Sequence, residues 1–182
     1  VDGPEGRIHA MVWEMHVGCV PLYLLDTNVR ENPPEFRDIT ARLYSGGSRR
    51  RLAQELVLGI GGMRALEDLQ RVPWVVHMNE GHSAFASLER LRNMVTHQGI
   101  ELQTALEIIP RTTVFTTHTP VAAGHDDFPV DMLDPCLKPF ADGLGVDLKT
   151  IINWGQPKGS PPETPLSMFI LGKRMSAYCN GV

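Results

Sequence analysis

The hydrophobic pattern of the first part of the chain changes from alternation to loop-like composition. Residues 7–17 alternate loosely between apolar and polar types and include Val, Ile and Trp, which predicts a strand. Residues 20–25 predict a second strand, more buried than the first. Residues 26–34 have the composition of a loop, and a short helix is expected over 36–44. We therefore expect the chain to begin with two strands.

A long amphipathic segment follows, and Ser48 is its expected N-cap. Its apolar residues recur at spacings of three and four, as on one face of a helix. They are Leu52, Leu56, Ile60, Met63 and Leu66. The glycine-rich run 59–62 lies inside this pattern, whereas a phosphate-binding glycine loop needs a strand before it and a helix start at the loop. We interpret these glycines as helix positions that allow close packing.

The middle of the chain predicts a strand, helical segments and another strand. Residues 73–78 predict a buried strand, and residues 82–97 predict a helix. A second helical piece is expected over 102–109, and residues 112–117 predict a strand rich in β-branched residues. A crossover of this length joins parallel strands with right-handed topology. The predicted fold class is therefore α/β, with a parallel sheet and flanking helices.

The C-terminal third carries fewer structural signals. A helix is expected from about 130 to 140, and residues 141–163 are expected to be irregular. A last helix is expected to be capped by Thr164, with Pro165 in its first turn and Asn180-Gly181 as its C-cap signal. The chain begins without Met and stops just after this expected helix. We therefore expect it to be a piece of a longer protein.

Composition narrows the class of protein. The 182 residues are 42% hydrophobic and 21% charged, with a net charge of −4, which is typical of a globular domain and gives no support to a nucleic-acid partner. No run of about 18 apolar residues is present, so no membrane span is expected. Three cysteines without CxxC spacing argue against a disulfide framework or a zinc knuckle. A reduced, cytoplasmic protein is the simplest expectation.

Polar side chains are concentrated where the two central predicted strands end. One cluster runs from His77 to His82, and the other comprises residues 117–120. Ligands of parallel α/β sheets bind beyond the carboxyl ends of the strands. The clusters are compatible with a metal site, with general acid/base chemistry, with recognition of a hydroxyl-rich ligand such as a sugar, or with simple capping of helix and loop.

The spacing of these residues favours polar recognition. No HxxxH or HExxH motif places two ligands on one helical face, so no metal is expected. Neither His82 nor His118 has a nucleophile motif beside it. Asn, carboxylate, His and Thr side chains at strand ends can bind sugar hydroxyls, and a helix N-terminus near His82 would add N–H groups for a phosphate.

Five blocks of the sequence match a known family. They are VPLYLLDTNVRENPPEFRDITARLY, QELVLGIGGMRAL, HMNEGHSAFASLERLR, VFTTHTPVAAGHDDFP and RMSAYCNGV. In this order, and over nearly the whole chain, they closely resemble the α-glucan phosphorylases, which comprise the glycogen and maltodextrin phosphorylases, and most of all the bacterial and archaeal branch. The resemblance implies that residues 1–182 are the later part of an N-terminal Rossmann-like domain, within a two-domain glycosyltransferase-B fold.

The resemblance also implies an activity and a cofactor. The family is a group of retaining glycosyltransferases that cleave α-1,4-glucan with inorganic phosphate and release glucose 1-phosphate. Pyridoxal 5′-phosphate is held there by a lysine of the C-terminal domain, which is expected to be absent from this chain. The four lysines of the chain stand in other sequence contexts; they are Lys138, Lys149, Lys158 and Lys173. We therefore expect the isolated chain to be inactive, and a homo-oligomeric full-length enzyme is compatible with the resemblance.

Site residues are carried over by position. By resemblance, His118 corresponds to the family histidine at the cleavage point, whose carbonyl helps to stabilise the transition state and whose imidazole binds a sugar hydroxyl. Asn79, Glu80 and His82 correspond to a segment that lines the cleft beside the sugar, and Thr119 follows His118 in both branches. His77, still on the strand, is expected to be structural.

Several positions depart from the animal-type enzymes. Thr117 stands where those enzymes have Asn, Pro120 follows Thr119, and Ala123 replaces a glutamate. Glu80 is one methylene longer than their Asp. Sugar contacts at these positions are therefore not carried over unchanged.

Two other functions stay open. One is another glycosyltransferase-B enzyme, such as a glycogen or starch synthase, and the other is a non-catalytic glucan-binding module of the same fold. A synthase would bind a nucleotide sugar, whereas the gene of a phosphorylase would encode a pyridoxal lysine downstream.

Overall fold

An antiparallel two-stranded ribbon is the main feature of the N-terminal part of the computed structural model, which describes residues 1–42, 46–121 and 125–182. The ribbon consists of β3 (Met11–Val17) and β4 (Val20–Asp26). A shorter antiparallel pair precedes it, made of β1 (Asp2–Gly3) and β2 (Gly6–Arg7). The two strands expected from the alternating pattern are therefore present.

The second strand is more buried than the first, as expected, with three partly buried residues against one, but one face of the ribbon is exposed on both strands. The register pairs Trp13 with Leu24, Met15 with Leu22 and Val17 with Val20, so these side chains lie on one face of the ribbon. They are exposed, as is Met11. We call this surface the ribbon face. Two strands bury a face only when another layer packs on it, and none of the described residues covers this one.

Residues 34–42 form turns instead of the expected short helix. Only Pro34–Phe36 is helical, as a single 3₁₀ turn. Its Phe36 joins Ile39 in a small buried cluster that also includes Ile8, Ala53 and Val57. Residues 43 and 44, the end of the expected helix, lie outside the described residues.

The long amphipathic segment is one continuous helix with a π-helical turn inside it. It comprises α1 (Ser48–Leu56), the π turn Val57–Gly61 and α2 (Gly62–Asp68). Of the five apolar positions, Leu52, Leu56 and Ile60 are fully buried, and Met63 and Leu66 are partly buried. The expected N-cap was wrong by one residue, because Gly47 has the extended cap conformation and Ser48 is already helical.

The interpretation of the glycine-rich run is confirmed at Gly59. A Cβ atom at this position would lie 2.7 Å from Ala86 N and 2.8 Å from Phe85 Cβ. The absence of a side chain at Gly59 therefore lets the π turn pack directly on the start of the next long helix.

A parallel sheet with flanking helices confirms the predicted α/β class. β5 (Val76–Asn79) pairs in parallel with β6 (Thr113–Thr117), and the chain between them forms α3 (Phe85–Thr96) and α4 (Leu102–Arg111). The first helix starts at Phe85 and not at His82, since residues 81–83 form a 3₁₀ turn.

The strand expected over 73–78 is shorter and less buried than predicted. It begins only at Val76, and Met78 is its one buried residue. Trp74 is 93% exposed. The reason is that β5 lies at an edge of the sheet, so it has a neighbouring strand on one side only.

The third strand of the sheet was not predicted. β9 (Tyr178–Gly181) pairs in parallel with β6, so the strand order is β5-β6-β9. The interpretation of Asn180-Gly181 as a helix C-cap was therefore wrong. The helix before it ends at Arg174, as α7 (Met168–Arg174), and Ser167 rather than Thr164 precedes its first turn.

Four further elements lie between β6 and β9 in sequence. α5 (Val130–Leu144) confirms the helix expected near residue 130 and continues beyond 140. α6 (Leu148–Trp154) occupies part of the stretch that was expected to be irregular, and Ile151 and Ile152 anchor it in the core. A short antiparallel pair joins β7 (Asp127–Phe128) to β8 (Leu166–Ser167).

The main core surrounds α3. Its residues Phe85, Leu88 and Leu91 are fully buried and belong to the same cluster as Leu133 and Leu137 of α5. Each such side chain stabilises the fold by about 1.5–3 kcal/mol through removal from water. None of the described helices is long and apolar enough to span a membrane. The packed helix α3 supports one face of the sheet, whose carboxyl edge carries the polar clusters.

Candidate functional site

The ends of β5 and β6 bring the two polar clusters together. Asn79 at the end of β5 is in register with Thr116 on β6, and Glu80 N donates a hydrogen bond of 2.9 Å to Thr116 O. Parallel strands end at the same edge of a sheet, so residues 117–119 lie beside residues 79–80. We call Asn79, Glu80 and residues 117–119 the strand-end cluster.

The ring of His118 is held by Asn79. His118 Nε2 lies 2.8 Å from Asn79 Oδ1, and an amide oxygen can only accept, so Nε2 carries the proton and donates. Both residues are exposed. The ring is thus oriented by the protein and remains accessible to a ligand.

Glu80 is the most highly bonded member of the strand-end cluster. Its carboxylate accepts hydrogen bonds from Thr117 Oγ1 at 3.2 Å, from Thr119 Oγ1 at 3.3 Å and from the backbone N–H of His118. Burial alone would raise the pKa of Glu80, but these hydrogen bonds outweigh it and hold the pKa below its usual value. Glu80 therefore stays ionised at neutral pH.

The backbone of Glu80 is strained. Its φ of 66° and ψ of 170° lie in a region that only glycine adopts readily. Such a conformation costs on the order of 1–3 kcal/mol and persists only where the surroundings enforce it. The three hydrogen bonds to its carboxylate are the contacts that offset this cost.

A row of polar side chains crosses all three strands next to the cluster. Thr116 Oγ1 donates to Asn180 Oδ1 at 2.8 Å and lies 2.6 Å from His77 Nε2. Since the hydroxyl proton points to Asn180, the ring of His77 donates to Thr116. His77 is thus hydrogen-bonded to its neighbour on β6, and the structural role expected for it stays a prediction.

Asn180 was not among the residues expected at this edge. It reaches the site because β9 pairs with β6, which places Asn180 in register with Thr116. The only local signal at this position is the Asn-Gly pair, which favours a helix end or a turn. The polar side chains of Thr116 and His77 on neighbouring strands become partners only once the sheet has formed.

His82 lies apart from the strand-end cluster. It is in the 3₁₀ turn Gly81–Ser83 and is partly buried. It faces a cleft of about 240 Å³ whose other described lining residues are Thr40, Arg42, Arg51, Gln54, Glu55 and Leu58. Burial, assisted by the positive charge of Arg51, lowers the pKa of His82, so its imidazole is neutral at pH 7.

Two carboxyl groups, the buried Glu55 and the partly buried Asp126, stand beside His82. Arg51 Nη2 donates to Glu55 Oε1 at 3.1 Å and to Asp126 Oδ2 at 2.7 Å. Burial of Glu55, which is 1% exposed, and the neighbouring Asp126 raise the pKa of Glu55 to about 9. Glu55 Oε2 has no hydrogen-bond partner among the described residues.

The arrangement is suited to binding hydroxyl groups. The cluster offers the exposed His118 ring, the amide of Asn79 and the hydroxyl of Thr119, while Glu80 is engaged by the turn. Within residues 1–42, 46–121 and 125–182, no three His, Cys, Asp or Glu side chains are arranged to hold a metal ion.

Four of the five expected site residues lie together in the strand-end cluster, and the fifth, His82, lies in the adjoining cleft. Ala123, one of the departures from the family pattern, lies outside the described residues.

The parallel sheet, its flanking helices and the polar groups beyond its carboxyl ends define a Rossmann-like α/β protein. No family model matches the sequence. The chain is 42% identical, over 98% of its length, to a protein named maltodextrin phosphorylase from Thermococcus litoralis. It is 46% identical over 99% of its length to a glycogen phosphorylase from Mycobacterium tuberculosis, and 34% identical over 98% to one from Aquifex aeolicus.

These relatives are much longer proteins. The alignments cover 21%, 22% and 25% of their respective lengths, so the chain spans about a fifth to a quarter of each. The chain is thus homologous to one segment of the glycogen and maltodextrin phosphorylases, which confirms the resemblance seen in the sequence blocks.

Proposed function

We propose that the chain supplies the glucosyl-binding wall of the active cleft of an α-1,4-glucan phosphorylase. Such an enzyme transfers a glucosyl unit from the end of a glucan to inorganic phosphate and releases glucose 1-phosphate. The observation that carries this proposal is the hydrogen bond between His118 and Asn79 at the carboxyl edge of the parallel sheet. It orients an exposed imidazole at the position where α/β sheets bind ligands.

The site residues have distinct roles in this proposal. His118 is the catalytic residue: its ring binds a sugar hydroxyl, and its carbonyl faces the positive charge that develops at the transition state. Asn79 and Thr119 bind hydroxyl groups beside it, and Asn79 also orients the ring. His82, neutral in the adjoining cleft, offers a further donor or acceptor to the ligand.

Pyridoxal 5′-phosphate has no attachment point that fits in this chain. A Schiff base requires a lysine in a pocket near the reacting groups, where desolvation favours the neutral amine. The side chains of all four lysines are exposed on helices or turns; they are Lys138, Lys149, Lys158 and Lys173. We therefore propose that the cofactor is held by another part of the full-length enzyme, as is the substrate phosphate.

The chain supplies only one side of the proposed active cleft, and one side alone cannot complete the reaction. Retaining transfer needs positioning and charge stabilisation from both sides of the sugar, and the strand-end cluster supplies one side. We propose that the 182-residue chain alone is inactive. A cytoplasmic location and a homo-oligomeric full-length enzyme remain predictions.

The test compares the isolated chain with the full-length enzyme loaded with pyridoxal 5′-phosphate. Both are given maltodextrin and inorganic phosphate, and glucose 1-phosphate is measured. We expect product only from the full-length enzyme. Product from the isolated chain would contradict the proposal that the chain alone is inactive. Absence of product from the full-length enzyme would contradict the proposed phosphorylase activity. Transfer from a nucleotide sugar instead would identify a synthase.

A further inference from the structure

The carboxylate of Glu80 binds three consecutive residues of the turn after β6. Both of its oxygens take part: Oε1 accepts from the backbone N–H of His118 and from Thr119 Oγ1, and Oε2 accepts from Thr117 Oγ1. Among the described residues, no other acidic side chain accepts hydrogen bonds from three successive residues. The contact joins the end of β5 to the turn that carries His118.

The exposure of Glu80 argues against direct contact with a ligand. The residue is 9% exposed, whereas Asn79 and His118 on either side of it are exposed. A carboxylate that already accepts three hydrogen bonds within the protein gains less from a sugar hydroxyl than a free one would. Its neighbours therefore present the groups that a ligand meets.

The backbone of Glu80 supports the same interpretation. Its positive φ directs the side chain from the end of β5 toward residues 117–119, where a residue with ordinary strand geometry would point to one of the two sheet faces. Glu80 is thus a non-glycine residue with the positive φ that is typical of glycine. Strain of this kind is typical of sites where geometry matters for function.

We propose that Glu80 is a positioning residue for His118 and does not itself bind the sugar. The carboxylate holds residues 117–119 in place, and the position of these residues determines where the ring and the carbonyl of His118 lie. The role in catalysis rests on the proposed phosphorylase function. We call the hydrogen bonds from residues 117–119 to the carboxylate of Glu80 the clamp. The inference that Glu80 holds the turn rests on these hydrogen bonds alone.

The clamp is tested by NMR on the 182-residue chain. In the wild-type protein the amide proton of His118 is expected to move as Glu80 titrates, because the ionised carboxylate is its acceptor. The midpoint is expected below the usual glutamate value, in accord with the lowered pKa of Glu80. The Glu80 step is identified as the one that Glu80→Gln removes.

A matched control is Glu67→Gln. Glu67 also has a lowered pKa and accepts hydrogen bonds from His97 and Asn93, but it lies on α2 against α3. The His118 step is expected to persist in this variant. A His118 amide that does not respond to Glu80, in wild type or variant, would overturn the clamp.

The consequence for catalysis is tested in the full-length enzyme. Glu80→Gln keeps the size of the side chain but leaves one acceptor oxygen for three donors. We expect kcat to fall roughly 10- to 100-fold with little change in KM, since a small misplacement of a catalytic group costs rates of this order. Glu80→Asp, which keeps the charge, is expected to lose less.

The outcomes separate the two proposals. A Glu80→Gln enzyme with unchanged kcat and a raised KM would show that Glu80 binds the sugar, which overturns the positioning role. A wild-type full-length enzyme that releases no glucose 1-phosphate would instead refute the proposed function. In that case the NMR titration still decides whether Glu80 holds the turn.

Discussion

The ring of His118 and the side chain of Asn79 are 39 residues apart in sequence and are joined by a hydrogen bond of 2.8 Å. The parallel pairing of β5 with β6 makes this contact, since it aligns the ends of the two strands. The orientation of the ring thus depends on the sheet as a whole and not on the local loop.

Replacement of His118 tests its proposed place at the transition state. In the full-length enzyme, His118→Ala is expected to lower kcat more than it raises KM, because the contact is strongest when charge develops on the sugar. Steady-state kinetics with maltodextrin and phosphate measure both constants. His97→Ala, at an exposed histidine paired with Glu67, is the control and should leave both unchanged. Weaker binding at an unchanged kcat would refute the transition-state role.

The packing at Gly59 predicts a large effect of a single methyl group. Gly59→Ala is expected to lower the free energy of unfolding by about 1–3 kcal/mol, because the methyl group would overlap Ala86 and Phe85. Urea denaturation measures the change. The control is Gly143→Ala in α5, where a Cβ meets nothing within 4 Å. This variant should stabilise the protein by about 0.4–1 kcal/mol, and equal effects of the two would contradict the close packing.

The carboxyl pair predicts a pH-dependent stability. The pKa of Glu55 rises from 4.5 to about 9 on folding, so the folded protein keeps a proton that the unfolded chain releases. The contribution of Glu55 to stability is therefore complete below pH 4.5 and is lost as the pH rises toward 9. Asp126 has a lowered pKa, so its contribution is present at neutral pH and is lost only in acid.

Glu55→Gln isolates this effect, because the amide cannot lose a proton. The free energy of unfolding of the variant relative to wild type is expected to increase between about pH 5 and pH 9, by at most about 1.4 kcal/mol per pH unit. Urea denaturation at several pH values measures it. Glu107→Gln, at an exposed pair with Arg111, should show no such trend. A pH-independent difference for Glu55→Gln would mean that Glu55 is ionised in the folded protein.

The ribbon face predicts self-association of the isolated chain. Contiguous exposed apolar surface promotes association in water, and this face carries Trp13 and six aliphatic or methionine side chains. The paired change Met15→Glu with Leu22→Lys is expected to reduce association while changing stability by less than about 0.5 kcal/mol. Sedimentation velocity measures it. Glu14→Lys, on the opposite face, is the control, and equal association of all variants would exclude the ribbon face.

The parts of the fold that the sequence predicted are those with strong local periodicity. The α3 helix and the strands on either side of it, β5 and β6, follow from 3.6-residue and strand-like patterns within single segments. Their parallel pairing follows from the length of the crossover. The meeting of Asn79 with His118 then follows from the pairing.

The parts that could not be predicted depend on contacts between distant segments. β9 is a strand because β6 offers it hydrogen bonds, and its own Asn-Gly pair favours a helix end. α6 is flanked by residues typical of loops, and its helical state is stabilised by burial of Ile151 and Ile152. The engagement of Glu80 by the turn depends on a backbone conformation that no sequence pattern indicates.

The π-helical turn at Val57–Gly61 gives the long helix one residue more than a regular turn would hold. Deletion of a single residue there would restore the α-helical phase and rotate α1 against α2 by about 100°. Arg51 on α1 reaches Asp126, and Arg64 on α2 reaches Glu89 of α3. The extra residue thus sets the helical phase in which Arg51 meets Asp126 and Arg64 meets Glu89. Loss of this residue is therefore expected to separate either Arg51 from Asp126 or Arg64 from Glu89.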